Sequence, residues 1–512
     1  MVDCNGSRSH VHANKIRKFH VRVDEVSYDS VLFYNNNNCE CADDNDTDTL
    51  NCQCANVYER DDDFSKLCVL ESSNDDVENQ VVTEPPPRSK IDPSALSHQS
   101  PRQRDELLNV LDQFPECFSE TPGLCNLVEH EIPVTEEFRL KRLKAYRVPK
   151  NLKAEVNSQI NTLLSRGFIK PSKSPMPSPV VCVLKGKDGK GGVRLAVNYQ
   201  YLNKYTVPDV LPLPDIAQVI QKVGAYRYIS LFDATSGYHQ CSIRPQDQWL
   251  SAFVCDDGLY EWTRIPFRMR SSGSTFVRAV KEIIEPVKEF TEAYVDDMAI
   301  DSNSWSQHLE CVKQFLSEIR ASGITLNVQK CTFAKSDVKF VGHLIGSGRR
   351  RADPEKVSTV YALRAAETKK QLRQILGFFS FFRDYIPQFA EVARPLTDLT
   401  AKHVPNRIPW GESQQLTLDK LKELLVNATI NPLYIVNMCK PFTIHVDASD
   451  YAAGGTLTQT MENGTEKPIA FASCKFNATL EKLDNYRKGS QCSLGSTEVR
   501  ALDLRENCDR IH

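Results

Sequence analysis

No run of about 18 consecutive apolar residues occurs in the sequence, so no membrane-spanning helix and no membrane partner are expected. Residues Met1 to His20 are polar and basic and lack an apolar stretch, so no secretory signal peptide is read. Internal repeats are absent, and a repeat architecture is not expected. An excess of either charge is missing too: 63 Lys and Arg face 66 Asp and Glu, for a net charge of −3. With 41% hydrophobic and 25% charged residues, collagen-like, mucin-like and wholly disordered chains are excluded. A chain of 512 residues with this make-up has room for about three or four domains.

The near-neutral total conceals a division. Residues 39–84 hold fourteen acidic side chains against two basic ones, whereas residues 85–512 carry a net charge of +8. Residues 1–90, with the Asn run 35–38 and Pro85–Pro87, offer little apolar surface to bury. They read as an acidic, disordered leader with one short strand at Ser30–Tyr34. A basic body suits a polyanionic partner. The 17 cysteines are an odd number, and most stand singly in apolar stretches, as Cys182 does in VVCVL. That is the pattern of reduced, buried thiols in an intracellular protein. Cys39, Cys41, Cys52 and Cys54 are the exception. Four thiolates could hold zinc, but zinc knuckles use two-residue gaps, and a cysteine-bearing spacer is the better reading.

Apolar residues recur with helical period at Leu107, Leu108, Leu111 and Phe114, stopped by Pro115. The period returns over Asn151–Arg166, with Gly167 placed to end that helix. It then changes to that of strands. Val180–Leu184 and Val193–Val197 flank the basic connection Lys185–Gly192 and read as a hairpin. Tyr226–Phe232 is another strand-like run, and Tyr294–Ile300 reads as two short strands joined at Asp296–Asp297. A long amphipathic helix carries Leu309, Val312, Phe315, Leu316 and Ile319 and closes at Gly323. More helices are expected at Lys369–Phe382 and Leu416–Leu425, then a strand Phe442–Val446 with Gly455–Gln459 as its hairpin partner. The mixed order indicates an α+β fold and not a doubly wound sheet.

Asp233, at the end of one strand, and Asp296 with Asp297, at the tip of a hairpin, form the strongest chemical constellation. Carboxylates on stiff, neighbouring strands can share hard divalent cations whose remaining positions go to phosphate oxygens and water, as two-metal nucleotidyl transfer requires. Taken alone, the Asp-Asp pair is equally a good turn.

The context carries the argument further. From about Leu127 to Ser473 the chain resembles the reverse transcriptase of gypsy-type LTR retrotransposons, a Pol polyprotein fragment. The matching segments arrive in the family's order: LVEHEIPV, LLSRGFIKPSKSPMPSPVV, LKGKDGKGGVRLAVNYQYLN, PLPDI, YISLFDATSGYHQ, TRIPF, AYVDDMAIDS, HLECV, GITLNVQKCTF and VGHLIGSG. DPEKV, LGFFSFFRDYIPQFAEVARPLTDL and FTIHVDASDYAAGGTL follow. The resemblance implies a right-hand polymerase of fingers, palm and thumb, with a connection region and a truncated RNase H-like α/β C-terminal domain. It implies an N-terminal extension over 91–150, fingers and palm over 151–345, thumb and connection over 346–438, and the partial RNase H-like domain over 439–512.

What the family implies for single residues follows the motifs. Asp233, Asp296 and Asp297 fall on its metal-site aspartates, the first two as direct ligands of two Mg²⁺ ions, with Mn²⁺ as a substitute. Tyr238 falls on the aromatic that excludes a 2′-hydroxyl, and backbone amides around Ser236–Gly237 would take triphosphate oxygens. Arg194 matches the arginine over the incoming nucleotide, with Lys185 and Lys187 adding positive charge. Val341-Gly342-His343 resembles the primer grip, although His343 also reads as a half-exposed polar residue. Arg349-Arg350-Arg351 and the lysine-rich hairpin are backbone contacts or ordinary solvated charges. Asp447 resembles the first RNase H carboxylate and Glu498 a second. The later ones fall beyond His512, so RNase H activity is not expected, and the incomplete sheet should leave edges open.

Four departures stand against the pattern. Arg268 occupies a glycine position, Val277 a glutamine position, and Asn198 and Gln200 the positions of an Asp and an Arg. No Asp-Ser/Thr-Gly triplet, as a retroviral-type protease needs, is present. No integrase core or His-His-Cys-Cys zinc module is visible either, and the chain reads as cut from a longer polyprotein. The expected activity is RNA-directed DNA polymerisation, with RNA template, DNA primer, RNA–DNA hybrid and dNTPs as partners. It is placed in the cytoplasm within a retroelement particle and in the nucleus. Two other readings stay open: a catalytically impaired nucleic-acid-binding remnant with the same fold, and a remnant that does not fold stably.

Overall fold

The computed structural model describes residues 87–184, 193–212, 214–437, 439–449 and 451–476. It describes only the backbone of the strand Arg17–Val21 and of Leu184, Arg194 and Ala448. Ser30–Tyr34, the acidic segment, the paired cysteines at 39–54, Lys185, Lys187 and Glu498 lie outside the described residues.

Helix ends follow local chemistry. Ser100 and Gln103 form a reciprocal capping box at the start of Pro101–Leu111, with Pro101 at its first position. Lys153–Ser165 ends two residues before Gly167, whose φ of 67° lies in the left-handed region. The long helix Trp305–Ser322 is capped by Ser304, whose side chain accepts from the Gln307 amide, and stops at Gly323 with φ 76°. Its apolar face, Cys311, Val312, Phe315, Leu316 and Ile319, is buried.

That face packs on a four-stranded antiparallel sheet ordered Thr291–Tyr294, Asp297–Ser302, Tyr228–Asp233 and Thr332–Lys335. The Phe232 ring lies 4.7 Å from Phe315 and 5.8 Å from Phe333, centroid to centroid. Truncating one such fully buried ring to Ala costs about 3–5 kcal/mol. His308 stitches the same layers: its ring nitrogens sit 2.7 Å from Ser230 Oγ and 2.8 Å from Ser302 Oγ, on the two central strands.

A second sheet has five strands, in the order Ile169–Pro171, Gly258–Trp262, Phe253–Cys255, Ser178–Leu184 and Val193–Val197. Ser178–Leu184 and Val193–Val197 pair as the expected hairpin. Val338–Phe340, His343–Gly346, Arg349–Ala352 and Leu433–Tyr434 form a third sheet. The helices Lys369–Phe381 and Glu412–Ile430 follow the expected runs, with a separate apolar core of their own.

The last sheet joins Phe442–Ala448, Ala452–Thr460 and Glu466–Lys475, and Arg17–Val21 pairs antiparallel along the outer edge of Phe442–Ala448. Arg17–Val21, from a part of the chain read as leader, thus becomes one edge strand of the sheet and Glu466–Lys475 the other. Among the described residues no helix is long and apolar enough to cross a membrane.

Candidate active site

Strand register builds the site. Asp297 stands directly across from Asp233, the last residue of its strand. Directly opposed residues have Cα atoms about 4.5–5.5 Å apart and side chains on one face. The hairpin turns one residue earlier than the sequence implied. Val295, with φ 58°, and Asp296 make the bend, and Asp297 already belongs to the strand.

The other face of these strands is apolar, with Phe232 and Met298 fully buried, so the acidic side chains keep the more open face. Burial raises the Asp233 carboxyl above its ordinary range, and the Lys330 ammonium, 3.7 Å from Oδ1, works against that rise. Lys330 is a site residue that the motif reading missed. It lies in the GITLNVQKCTF segment, with nothing local to tie it to Asp233.

Two like charges directly opposed across strands are destabilising unless a cation intervenes. Among the described residues, no three His, Cys, Asp or Glu side chains form a group that could hold a metal ion. Magnesium differs from structural zinc here: it is held by one or two carboxylates, with water and substrate phosphates filling the octahedron. The hard-oxygen donors at Asp233, Asp296 and Asp297 fit that kind of site.

The loop after Asp233 shapes the space beside the acids. Ser236 takes the left-handed conformation, φ 48° and ψ 52°, and starts the short helical turn Gly237–Gln240. Gly237 packs so closely on Phe276 that a Cβ there would lie 2.7 Å from the ring's Cζ. Tyr238, half-buried, meets Phe276 edge-on at 5.9 Å and Phe267 at 5.5 Å. Gln240 fixes the loop from below. Its fully buried amide donates to Thr235 O at 2.9 Å and Thr325 O at 2.8 Å and accepts from the Thr325 amide at 2.7 Å. Gln240 is a second residue that sequence reasoning missed.

Other expected residues lie elsewhere or act differently. The backbone of Arg194 sits opposite Val183 in the hairpin strand. Val341 and Gly342, with φ 46° and 80°, form the tip of their hairpin. His343 is buried, not half-exposed: it stacks on Phe381 and Tyr385, and its Nδ1 lies 2.9 Å from Tyr385 Oη. Arg350 is also buried, because strand alternation turns it inward. Its Nη2 donates to Ile469 O at 3.2 Å and lies 3.6 Å from Asp384 Oδ2, so it is no phosphate contact. Asp447 is exposed and accepts from Gln388 Nε2 at 3.2 Å.

The departures have structural counterparts. Asn198 Oδ1 accepts from the Gln200 amide at 3.1 Å and starts the helix Gln200–Tyr205. Val277 is buried in the helix Ser272–Ile284. Arg268 is exposed at φ 67°, a conformation natural for the glycine it replaces.

Comparisons with known proteins agree on this region. Residues 184–345 match the family described as reverse transcriptase (RNA-dependent DNA polymerase), and residues 410–491 match the RNase H-like domain found in reverse transcriptase. The Pol polyprotein of the Drosophila melanogaster transposon opus is 32% identical over 412 residues, 77% of this chain and 40% of that protein. The Pol polyprotein of transposon 297 from the same fly is 28% identical over 75% of this chain and 36% of its own length. The Tf2-3 polyprotein of Schizosaccharomyces pombe is 29% identical over 73% of this chain and 28% of its own length. The chain thus spans less than half of each of these relatives.

Among solved structures, foamy viral protease-reverse transcriptase in complex with double-stranded DNA shares the fold. The TM-score is 0.71 at 23% identity, over 79% of this chain and 70% of that one. The same viral protein with an RNA/DNA hybrid gives 0.67, over 79% and 54%.

Proposed function

The chain carries a reverse transcriptase domain followed by an RNase H-like domain of the reverse-transcriptase type, and from that premise we propose that it is an RNA-directed DNA polymerase. The observation that carries this reading is the opposition of Asp233 and Asp297, with Asp296 at the hairpin tip, on one open face of a sheet inside the matching segment. The substrates are a primer 3′-hydroxyl, a deoxynucleoside triphosphate, and an RNA or DNA template, with an RNA–DNA hybrid as the product duplex.

Asp233, Asp296 and Asp297 would hold two Mg²⁺ ions, or Mn²⁺ in their place. When bound, such ions lower the pKa of an attacking hydroxyl and neutralise charge on the leaving oxygen. The Lys330 ammonium works against the rise that burial imposes on the Asp233 carboxyl. Tyr238, braced by Phe267 and Phe276, supports the sugar and disfavours a ribonucleotide. Backbone amides after the left-handed Ser236 offer donors to triphosphate oxygens. Arg194, Lys185 and Lys187 are the cations assigned to the incoming nucleotide.

We assign fingers and palm to 151–345, thumb and connection to 346–438, and an RNase H-like domain to 439–512. The setting proposed is a cytoplasmic retroelement particle and the nucleus.

Primer extension on RNA and DNA templates, with Mg²⁺ and then Mn²⁺, tests the assignment. Synthesis should occur and should fall at least 100-fold in Asp296→Asn, as expected for loss of electrostatic catalysis. Undiminished synthesis in that variant removes Asp296 from the mechanism.

A second reading, a binding remnant of the same fold, is favoured by Arg268. A non-glycine residue at positive φ costs on the order of 1–2 kcal/mol and puts a charged side chain where the family keeps none. It predicts hybrid binding without extension, and recovery of extension in Arg268→Gly with Val277→Gln.

A further inference from the structure

The loop that bears Tyr238 is joined to a distant stretch of chain by contacts that the chemistry above does not use. Residues 119–128 have no regular secondary structure, yet their backbone is held to this loop along its length. Thr235 Oγ1 donates to Ser119 O at 2.8 Å, and the Gly123 amide donates to Thr325 Oγ1 at 3.0 Å. The Cys125 amide donates to Gln240 O at 2.7 Å. Arg264 Nη1 spans the joint, donating to Gly123 O on one side and to His239 O, at 3.1 Å, on the other.

Each side of the joint carries a thiol. Cys125 and Cys241 are both free cysteines, 3% and 0% exposed, and their side chains hydrogen-bond each other. The backbone explains the contact: the Cys125 amide bonds the carbonyl of the residue just before Cys241. The amides of Leu127 and Val128 also reach the Cys125 sulfur, so three donors converge on one atom. The Cys241 hydrogen bond, with these amides, brings the Cys125 thiol down to about 6 in spite of its burial. Its bond to Cys125, and burial, push Cys241 upward, so that thiol keeps its proton.

The other buried thiols differ. Burial pushes Cys117 and Cys331 up to about 12 and Cys311 up to about 11, and a protonated thiol is a poor nucleophile. Cys125 is also close to water along the chain, since Leu124 and Leu127 beside it are 49% and 45% exposed. An irregular surface segment of this kind opens locally at little cost, which admits a small oxidant.

We propose that Cys125 and Cys241 form a disulfide when the protein meets hydrogen peroxide, and that this bond clamps the Tyr238 loop to residues 119–128 and slows DNA synthesis. The Cys125 thiolate attacks one peroxide oxygen; the O–O bond breaks, one water is released, and Cys125 becomes a sulfenic acid. The Cys241 sulfur then attacks the Cys125 sulfur; the S–O bond breaks, and the hydroxyl leaves as a second water with the Cys241 proton. Two thiols thus lose two electrons, and one peroxide is reduced to two waters. Sulfurs in hydrogen-bond contact must close to about 2.05 Å, which pulls Cys241 and the turn Gly237–Gln240 ahead of it. The effect on synthesis rests on the polymerase reading; the bond itself does not.

The test treats the reduced full chain with a small molar excess of hydrogen peroxide, with the exposed Cys439 as the reference thiol. Non-reducing peptide mapping with fragmentation should find Cys125 joined to Cys241, and should separate them from Cys117 and Cys255, which share their tryptic peptides. Amide hydrogen exchange over residues 236–241 should slow in the oxidised protein. Primer extension should fall about tenfold, since a displacement near 1 Å at a reacting site can cost far more, and dithiothreitol should restore it. Cys125→Ser, which forms no bond, should extend primers within about twofold of reduced wild type before and after peroxide.

Cys125 and Cys241 both remaining thiols after Cys439 has reacted, or a Cys125 sulfinic acid with no bond, overturns the proposal. So does a bond that changes neither exchange nor synthesis. The bond and exchange readings decide the matter even in a protein that copies nothing, and a lack of synthesis by the reduced chain counts against the polymerase reading alone.

Discussion

Gly237 offers the sharpest check on how the site is shaped. A methyl group there would lie 2.7, 3.0 and 3.1 Å from Cζ, Cε1 and Cε2 of Phe276, where carbon atoms rest at about 3.5–4.0 Å. The ring cannot easily retreat, because Phe276 is fully buried and Tyr238 stands edge-on to it. Gly237→Ala is therefore an overpacking change, costing about 1–3 kcal/mol. Shortening the opposing side chain should remove the clash: Phe276→Leu alone leaves a void, but Gly237→Ala in that background should cost almost nothing. The coupling between the two sites is expected at about 1–2 kcal/mol, read as a double-mutant cycle of urea midpoints.

Extension kinetics give the functional arm. The single variant should raise the dNTP KM several-fold and weaken discrimination against ribonucleotides, and the double variant should restore part of both. If Gly237→Ala shifts stability by less than about 0.5 kcal/mol, or the two changes simply add, the close approach of loop and ring is not what sets this pocket.

The acid limit of stability should depend on buried histidines. Burial pushes His130 and His308 down to about 4, from about 6.5 when unfolded, so the unfolded chain takes up their protons first. Their stabilisation is complete above about pH 6.5 and is lost as pH falls toward 4, by up to roughly 3 kcal/mol each. Asp233 and Asp301, raised by burial, act in the opposite sense. The quantity to measure is thus the difference between wild type and His308→Gln, which should shrink between pH 7 and pH 4.5; a constant difference refutes the assignment. Gln240→Leu leaves the Thr325 amide and two carbonyls without their buried partner, which should cost about 3–5 kcal/mol and raise the dNTP KM. A variant as stable as wild type would show that the Thr235–Thr325 link is not needed.

Much of this molecule is written in local pattern. Helical period and punctuation located Lys153–Ser165 and Lys369–Phe381 nearly to the residue and the end of Trp305–Ser322, with Gly167 and Gly323 acting within one turn. Short β-rich runs on either side of Lys185–Gly192 likewise revealed the pairing of Ser178–Leu184 with Val193–Val197.

What pattern could not reveal is long-range pairing. That Asp297 faces Asp233, that Lys330 reaches the same carboxyl, and that Gln240 bonds Thr325 all depend on strands brought together from distant stretches. Arg350 and His343 were misjudged on the same ground. Both polar residues turn inward, onto Ile469 and onto Phe381 and Tyr385, partners that nothing nearby in the sequence announces.

The facing of Asp233 and Asp297 makes the element intolerant of one class of genetic change. Side chains on a strand alternate with a period of two, so substitutions in Thr291–Ser302 can be graded in effect, but a single-codon deletion cannot. Losing one residue between Tyr294 and Met298 would swap the buried and open sides of the hairpin's second arm. An acid would be driven into the apolar layer and a methionine out of it. Drifting copies of such a gene should therefore tolerate many exchanges along this ribbon before they tolerate one gap.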